Sequence, residues 1–134
     1  MVISNGFKNV SLSRKMEIIE MAKYIHDVVN SYFFNNGAYV PNWEHKLYKS
    51  YVFFKKYYKC ELTEDEKSVF YLYIIFPNDE FFLELVTRYN QDFERVSSMF
   101  NVAAGIARLR YSLYRDIVLD KEIEEVLTKK KAMN

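Results

Sequence analysis

Three glycines and two prolines in 134 residues leave almost nothing to interrupt a helix. These two residues are the main punctuation of a polypeptide, glycine through its backbone freedom and proline through its fixed φ and missing N–H. A chain so poor in both is predicted to be mainly α. Its length predicts a single domain able to bury a core. The expected fold is a compact five- to six-helix domain with one small β-hairpin near residues 32–40. Half the residues are apolar and 18% are aromatic, which excludes a disordered chain. The longest apolar run, VFYLYIIF at 69–76, is eight residues. Spanning a bilayer takes ~20. The amino terminus lacks the apolar core of a signal peptide, and a lone Cys60 permits no internal disulfide. A cytoplasmic protein without membrane contact is expected.

Local patterns divide the chain into an amino-terminal helix and hairpin (1–41), a middle region (42–118) and a carboxy-terminal helix (119–134). The first helix is predicted to start after Ser11 or Ser13. Its stripe of Ile18, Ala22, Ile25, Val29 and Tyr32 has helical period. Asn36-Gly37, between aromatic and β-branched residues, signals a hairpin turn. Asn42 is placed to cap a second helix that is apolar almost all round from Leu47 to Tyr58, a pattern predicting the centre of the fold. Thr63 and Glu66 form a capping box for a third helix, which must stop at Pro77. Asn78 or Asp79 caps a fourth, carrying Phe81, Phe82, Leu85 and Val86. The remainder reads as a short helix (92–100), a turn at Asn101-Val102, a helix over 103–114 with Gly105 inside it, and a last helix from near Asp120 using Ile123, Val126 and Leu127.

Net charge is +1, so neither nucleic acid nor an anionic membrane is attracted globally. The arginines are unevenly spread: five of six lie between Arg88 and Arg115, opposed there only by Asp92 and Glu94. Lys129, Lys130 and Lys131 close the last helix, where they complement its dipole. His26-Asp27 invites comparison with an oriented imidazole, but neighbours along a helix do not face each other, and a surface histidine is expected. No nucleophile–base pair, glycine-rich phosphate loop or C-x-x-C is present.

One segment carries the outline of a chemical motif. His45-Lys46-Leu47-Tyr48-Lys49 occupies a helix, Glu66 follows 21 residues after His45, and Pro77 eleven residues after Glu66. YIIFPNDEFF (73–82) and MFNVAAGIARLRYSL (99–113) come next. Over residues 42–118 this order resembles the ImmA/IrrE-type metallopeptidases. In that family H-E-x-x-H precedes a helix bearing a glutamate ligand, a proline-terminated segment and a short helix–turn–helix. Phe70 and Arg108-Leu109 match the family pattern, and Ala103 stands where serine is usual. The resemblance makes His45, Lys49 and Glu66 relic metal positions and Lys46 the place of the general base. Zinc chemistry of this kind needs two histidines one helical turn apart and a carboxylate to take the proton from the metal-bound water. A lysine ammonium donates only and cannot ligate zinc. The implied protein is a catalytically inactive relative with no catalytic residue, metal or cofactor. Its composition, rich in Lys, Asn, Ile and Tyr, resembles that of a low-GC bacterial or phage protein, and a phage or mobile-element origin is expected.

The expected function is therefore regulatory, by binding a protein target such as a helix-turn-helix repressor or a host defence protein. Abundant tyrosine suits such contacts. Two alternatives stand beside it. A DNA-binding regulator would use the segment 92–115, with Arg108, Arg110 and Arg115 directed outward and Ile106, Leu109 and Leu113 inward. An active zinc peptidase would need rearranged ligands. Independent of either, His45 reads equally as an ordinary first-turn residue, Glu66 is explained by its capping box, and Cys60 is a small thiol without ligand spacing.

Overall fold

The apolar run 69–76 is the axis of the molecule. In a computed structural model, which describes residues 2–33 and 42–132, every residue from Ser68 to Phe76 is buried. These residues belong to α3 (Glu64–Ile75), and the other elements are arranged around it: a 3-10 turn (Asn5–Asn9), α1 (Leu12–Phe33), α2 (Trp43–Tyr58), α4 (Asp79–Arg88), α5 (Phe93–Met99) and α6 (Ile106–Ala132). The protein is a mainly α single domain, with six α-helices and no strand among the described residues. The Asn36-Gly37 turn of the expected hairpin lies outside the described residues, and α1 extends through Phe33, into the range 32–40 expected to hold it.

The position of α3 corrects the sequence reading, which placed α2 at the centre. α2 buries Leu47 and Phe54 but leaves Tyr48 and Tyr57 about 60% exposed (63% and 59%). A tyrosine counts as apolar in a periodicity argument, yet its hydroxyl favours a wet end, so an aromatic-rich helix can still lie at the surface. α3 also carries Tyr71 and Tyr73, but Val69, Phe70, Leu72, Ile74 and Ile75 point all round its circumference, and a helix apolar on every side is stable only when enclosed, so both tyrosines are buried with it. It packs chiefly on α1 and the amino-terminal turn, where the Ser4 amide donates to Ser68 Oγ at 3.1 Å.

The helix ends obey local chemistry. Ser11 Oγ accepts from the Arg14 amide at 3.3 Å, starting α1, whose Ile18, Ala22, Ile25 and Val29 are buried as the stripe predicts. Thr63 and Glu66 close both halves of the capping box on α3, and Pro77 ends it. Asn78 and Asp92 cap α4 and α5 by accepting from the Phe81 and Arg95 amides.

Two further corrections concern the last third. Gly105 lies in the turn rather than in a helix, at φ +92, a left-handed conformation that favours glycine. Beyond it α6 runs unbroken for 27 residues, with no separate helix beginning near Asp120. Its first part is packed through Ala107, Arg110, Leu113 and Ile117, while Ile123, Val126 and Leu127, expected to pack, are exposed. Lys15 of α1 is only 1% exposed and lies 3.4 Å from both Asp116 and Asp120 of α6. A buried ammonium is tolerable only with such partners, and here they fasten the two helices together.

Candidate functional site

The first turn of α2 sets the orientation of the would-be zinc motif. Asn42 caps the helix by accepting the His45 amide at 3.0 Å, and the His45 side chain is exposed. Lys46, one position on, is turned into the protein and is 3% exposed. Its Nζ lies 4.9 Å from the centre of the Trp43 ring, a cation–π contact that partly replaces lost water. Burial pushes the Lys46 ammonium below its ordinary pKa. Lys49 is half-buried.

Glu66, expected from the resemblance to be the third of these positions, is committed elsewhere. One carboxylate oxygen accepts the Thr63 amide at 2.9 Å and the other accepts Arg14 Nε at 2.5 Å. Burial opposes ionisation of this carboxyl, but the Arg14 guanidinium and the Thr63 amide outweigh it and hold the group below the usual carboxylate range. Among the described residues, no three of His, Cys, Asp and Glu stand together as a metal would require. The donor set does not fit zinc: an exposed histidine, two ammonium groups and a carboxylate already engaged by a guanidinium.

A different cluster is assembled in the interior. Arg110, predicted to face outward toward nucleic acid, is fully buried. Its guanidinium stacks 3.7 Å from the centre of the Tyr73 ring, donates through Nε to the Phe76 carbonyl at 3.0 Å and pairs with Asp79. The Tyr73 hydroxyl donates to the same carboxylate at 2.9 Å, and burial raises its pKa far above that of a free phenol. The cluster pins the carboxy end of α3 and the start of α4 to α6. A signal for it was present in the sequence, since Arg110 lies on one helical stripe with Ala107, Leu113 and Ile117. Arg108 and Arg115 remain at the surface, the former 5.2 Å from the Phe93 ring centre.

Asp79 also lines a polar cleft of about 540 Å³ with Lys23, His26, Asp27, Asn78 and Glu80. His26 is not the surface residue expected. Its Nδ1 donates to the Ile74 carbonyl at 3.1 Å and its Nε2 accepts from Asn30 Nδ2 at 2.9 Å, a pattern that fixes the neutral tautomer. Burial, then the nearby Lys46 charge, lowers its pKa, with Asp27 opposing. Cleft and cluster contain an imidazole, carboxylates and one hydroxyl held by a carboxylate, that of Tyr73, whose burial keeps it protonated. A smaller, more apolar groove of about 350 Å³ borders the starts of α2 and α6, lined by Ile3, Trp43, Leu47, Ile75, Val102 and Ile106. Trp43 Nε1 donates to the Phe100 carbonyl there.

The outer faces of α1 and α2 offer aromatic rings instead of chemistry. Tyr24 and Tyr57 are exposed with ring centres 5.0 Å apart, and Tyr57 meets Tyr58 at 4.8 Å. Tyr58 in turn packs on the buried Phe54. No helix of the described residues is long and apolar enough to cross a membrane. In comparisons with protein-family models, curated proteins and solved structures, the chain has no significant match.

Proposed function

We propose that the chain is a non-catalytic regulator that works by binding another protein. The observation that carries this reading is the roll of α2 about its axis. That roll turns Lys46 into the core and Tyr48 outside, while Tyr57, three turns on and close to the angular position of Lys46, is exposed at the far end of the helix. It withdraws the position where a proton acceptor would stand and offers rings suited to contact. Tyr57, backed through Tyr58 by Phe54, is anchored at one end to the core. A ring so held loses little freedom when a partner covers it.

The class of partner comes from the resemblance of residues 42–118 to the ImmA/IrrE-type metallopeptidases. Such a relative, without zinc, would occupy a helix-turn-helix repressor of a phage or mobile element, or a host defence protein, and change its activity by occupancy. The test is binding of purified intact repressors of this class. A complex in which the repressor stays uncut, weakened about tenfold or more by Tyr57→Ala while thermal unfolding is unchanged, supports the reading. Cleavage of the partner overturns it.

A DNA-binding reading has one observation in its favour, Gly105 in the turn between α5 and α6 rather than within a helix. Burial of Arg110 removes the middle of its three arginines. Salt-sensitive DNA binding abolished by Arg108→Ala with Arg115→Ala would establish it over the protein-binding reading.

A further inference from the structure

The far end of α6 stands clear of the domain. Residues 121–132 are all exposed, although a stripe of Leu119, Ile123, Val126 and Leu127 runs along them. Each of these side chains is roughly half exposed or more (53%, 48%, 64% and 54%). At 3.6 residues per turn they fall within about 100° of arc, the width of a face made to be covered. The 4-then-3 spacing from Leu119 through Ile123 to Val126 is that of a short coiled-coil seam.

Charge along the same segment identifies what covers it. Glu122, Glu124 and Glu125 make the first half acidic against the single Lys121, Asp120 being engaged by Lys15, and Lys129, Lys130 and Lys131 make the second half basic. Two copies laid parallel would set acid against acid and three lysines against three lysines. Laid antiparallel, each acidic half meets a basic one. We propose that residues 119–131 of two copies of this chain pair in antiparallel orientation to form a two-fold symmetric dimer.

The register follows from the stripe. Ile123 meets Val126 of the partner subunit, and Leu119 lies under the stem of the partner's Lys130, whose ammonium reaches water. Glu122 and Lys129 occupy the same flank of the helix, so across a two-fold axis Glu122 faces the partner's Lys129. The existing Lys129–Glu125 pair within one helix, at 3.3 Å, is exposed at both ends and holds the lysine only weakly. A seam of about two helical turns is smaller than a standard interface of ~800 Å² per partner, so the association is weak and concentration-dependent. This inference is independent of the binding reading for α1 and α2.

Analytical ultracentrifugation of the full chain, from micromolar to millimolar protein, tests it. The weight-average mass should climb from 16.1 kDa toward that of two chains, and added salt should lower it. Ile123→Asp, at an exposed position, should weaken self-association about tenfold or more with thermal unfolding unchanged. A triple variant with Lys129, Lys130 and Lys131 changed to Glu should be monomeric, as should one with Glu122, Glu124 and Glu125 changed to Lys. An equimolar mixture of the two should recover the dimer. A chain monomeric throughout overturns the proposal, as does a dimer indifferent to Ile123→Asp. Self-association strengthened by salt overturns the antiparallel pairing. Monomeric chain that binds phosphatidylserine vesicles, with binding lost in Ile123→Asp, assigns the stripe to a lipid surface instead.

Discussion

Arg110 is the residue on which most of the interior polar structure converges. Its guanidinium holds the Phe76 carbonyl, the Asp79 carboxylate and the face of Tyr73 at once, while Nη1 has no hydrogen-bond partner among the described residues. Arg110→Ala removes the packing and leaves the carbonyl and carboxylate without their cation, so urea denaturation should register a loss of about 3 kcal/mol. Arg110→Met, which keeps the volume without a charge to desolvate, should lose less. His26 gives the fold a pH response. Because burial and the Lys46 charge lower its folded pKa beneath the ordinary 6.5, the unfolded chain takes up the proton more readily. Stability is then fully present above 6.5 and falls as pH drops through the interval between that value and the folded pKa. His26→Gln should flatten this part of the stability–pH profile measured by urea unfolding. The sequence exposed neither residue's role in full. Arg110 was visible as a member of a buried stripe, but charge alone assigns an arginine to the surface. His26 depends on the Ile74 carbonyl of another helix, a long-range partner that no local pattern reveals.

At the scale of single elements the local signals were strong. The Ser11 start of α1, the Thr63–Glu66 box on α3, the Pro77 stop and the Asn78 cap of α4 each follow from chemistry within four residues. Thr63→Ala should cost about 1 kcal/mol by thermal or urea unfolding, because it opens the box at the head of the central helix. Gly105→Ala should cost a similar ~1 kcal/mol for a different reason. A methyl group at Gly105 meets nothing within 4 Å among the described residues, so the cost lies in holding alanine at φ +92. What the sequence concealed was rank and continuity. Aromatic richness suggested α2 as the centre, whereas the centre is α3, whose aliphatic side chains have no polar tip to carry outward. The acidic cluster at 120–125 resembled a fresh helix start, yet no glycine or proline separates it from Tyr114, and α6 continues through it.

For the molecule as a whole, the arrangement separates scaffold from surface. α3 and the Arg110 cluster fix the domain, α1 and α2 present tyrosines, and the end of α6 presents an apolar stripe with opposed charges. The two lysines that depart from a zinc-helix pattern, Lys46 and Lys49, were legible in the sequence. That Glu66 is held by Arg14, 52 positions away in the chain, was not. On the proposed reading this domain acts by contact and holds no zinc. The most direct measurement is zinc per chain, by elemental analysis of protein purified from zinc-supplemented cells and washed without chelator. Far less than one zinc per chain, unaffected by His45→Ala, is the predicted result. One tightly held zinc per chain, lost in His45→Ala and in Glu66→Gln and accompanied by peptide hydrolysis, would contradict it.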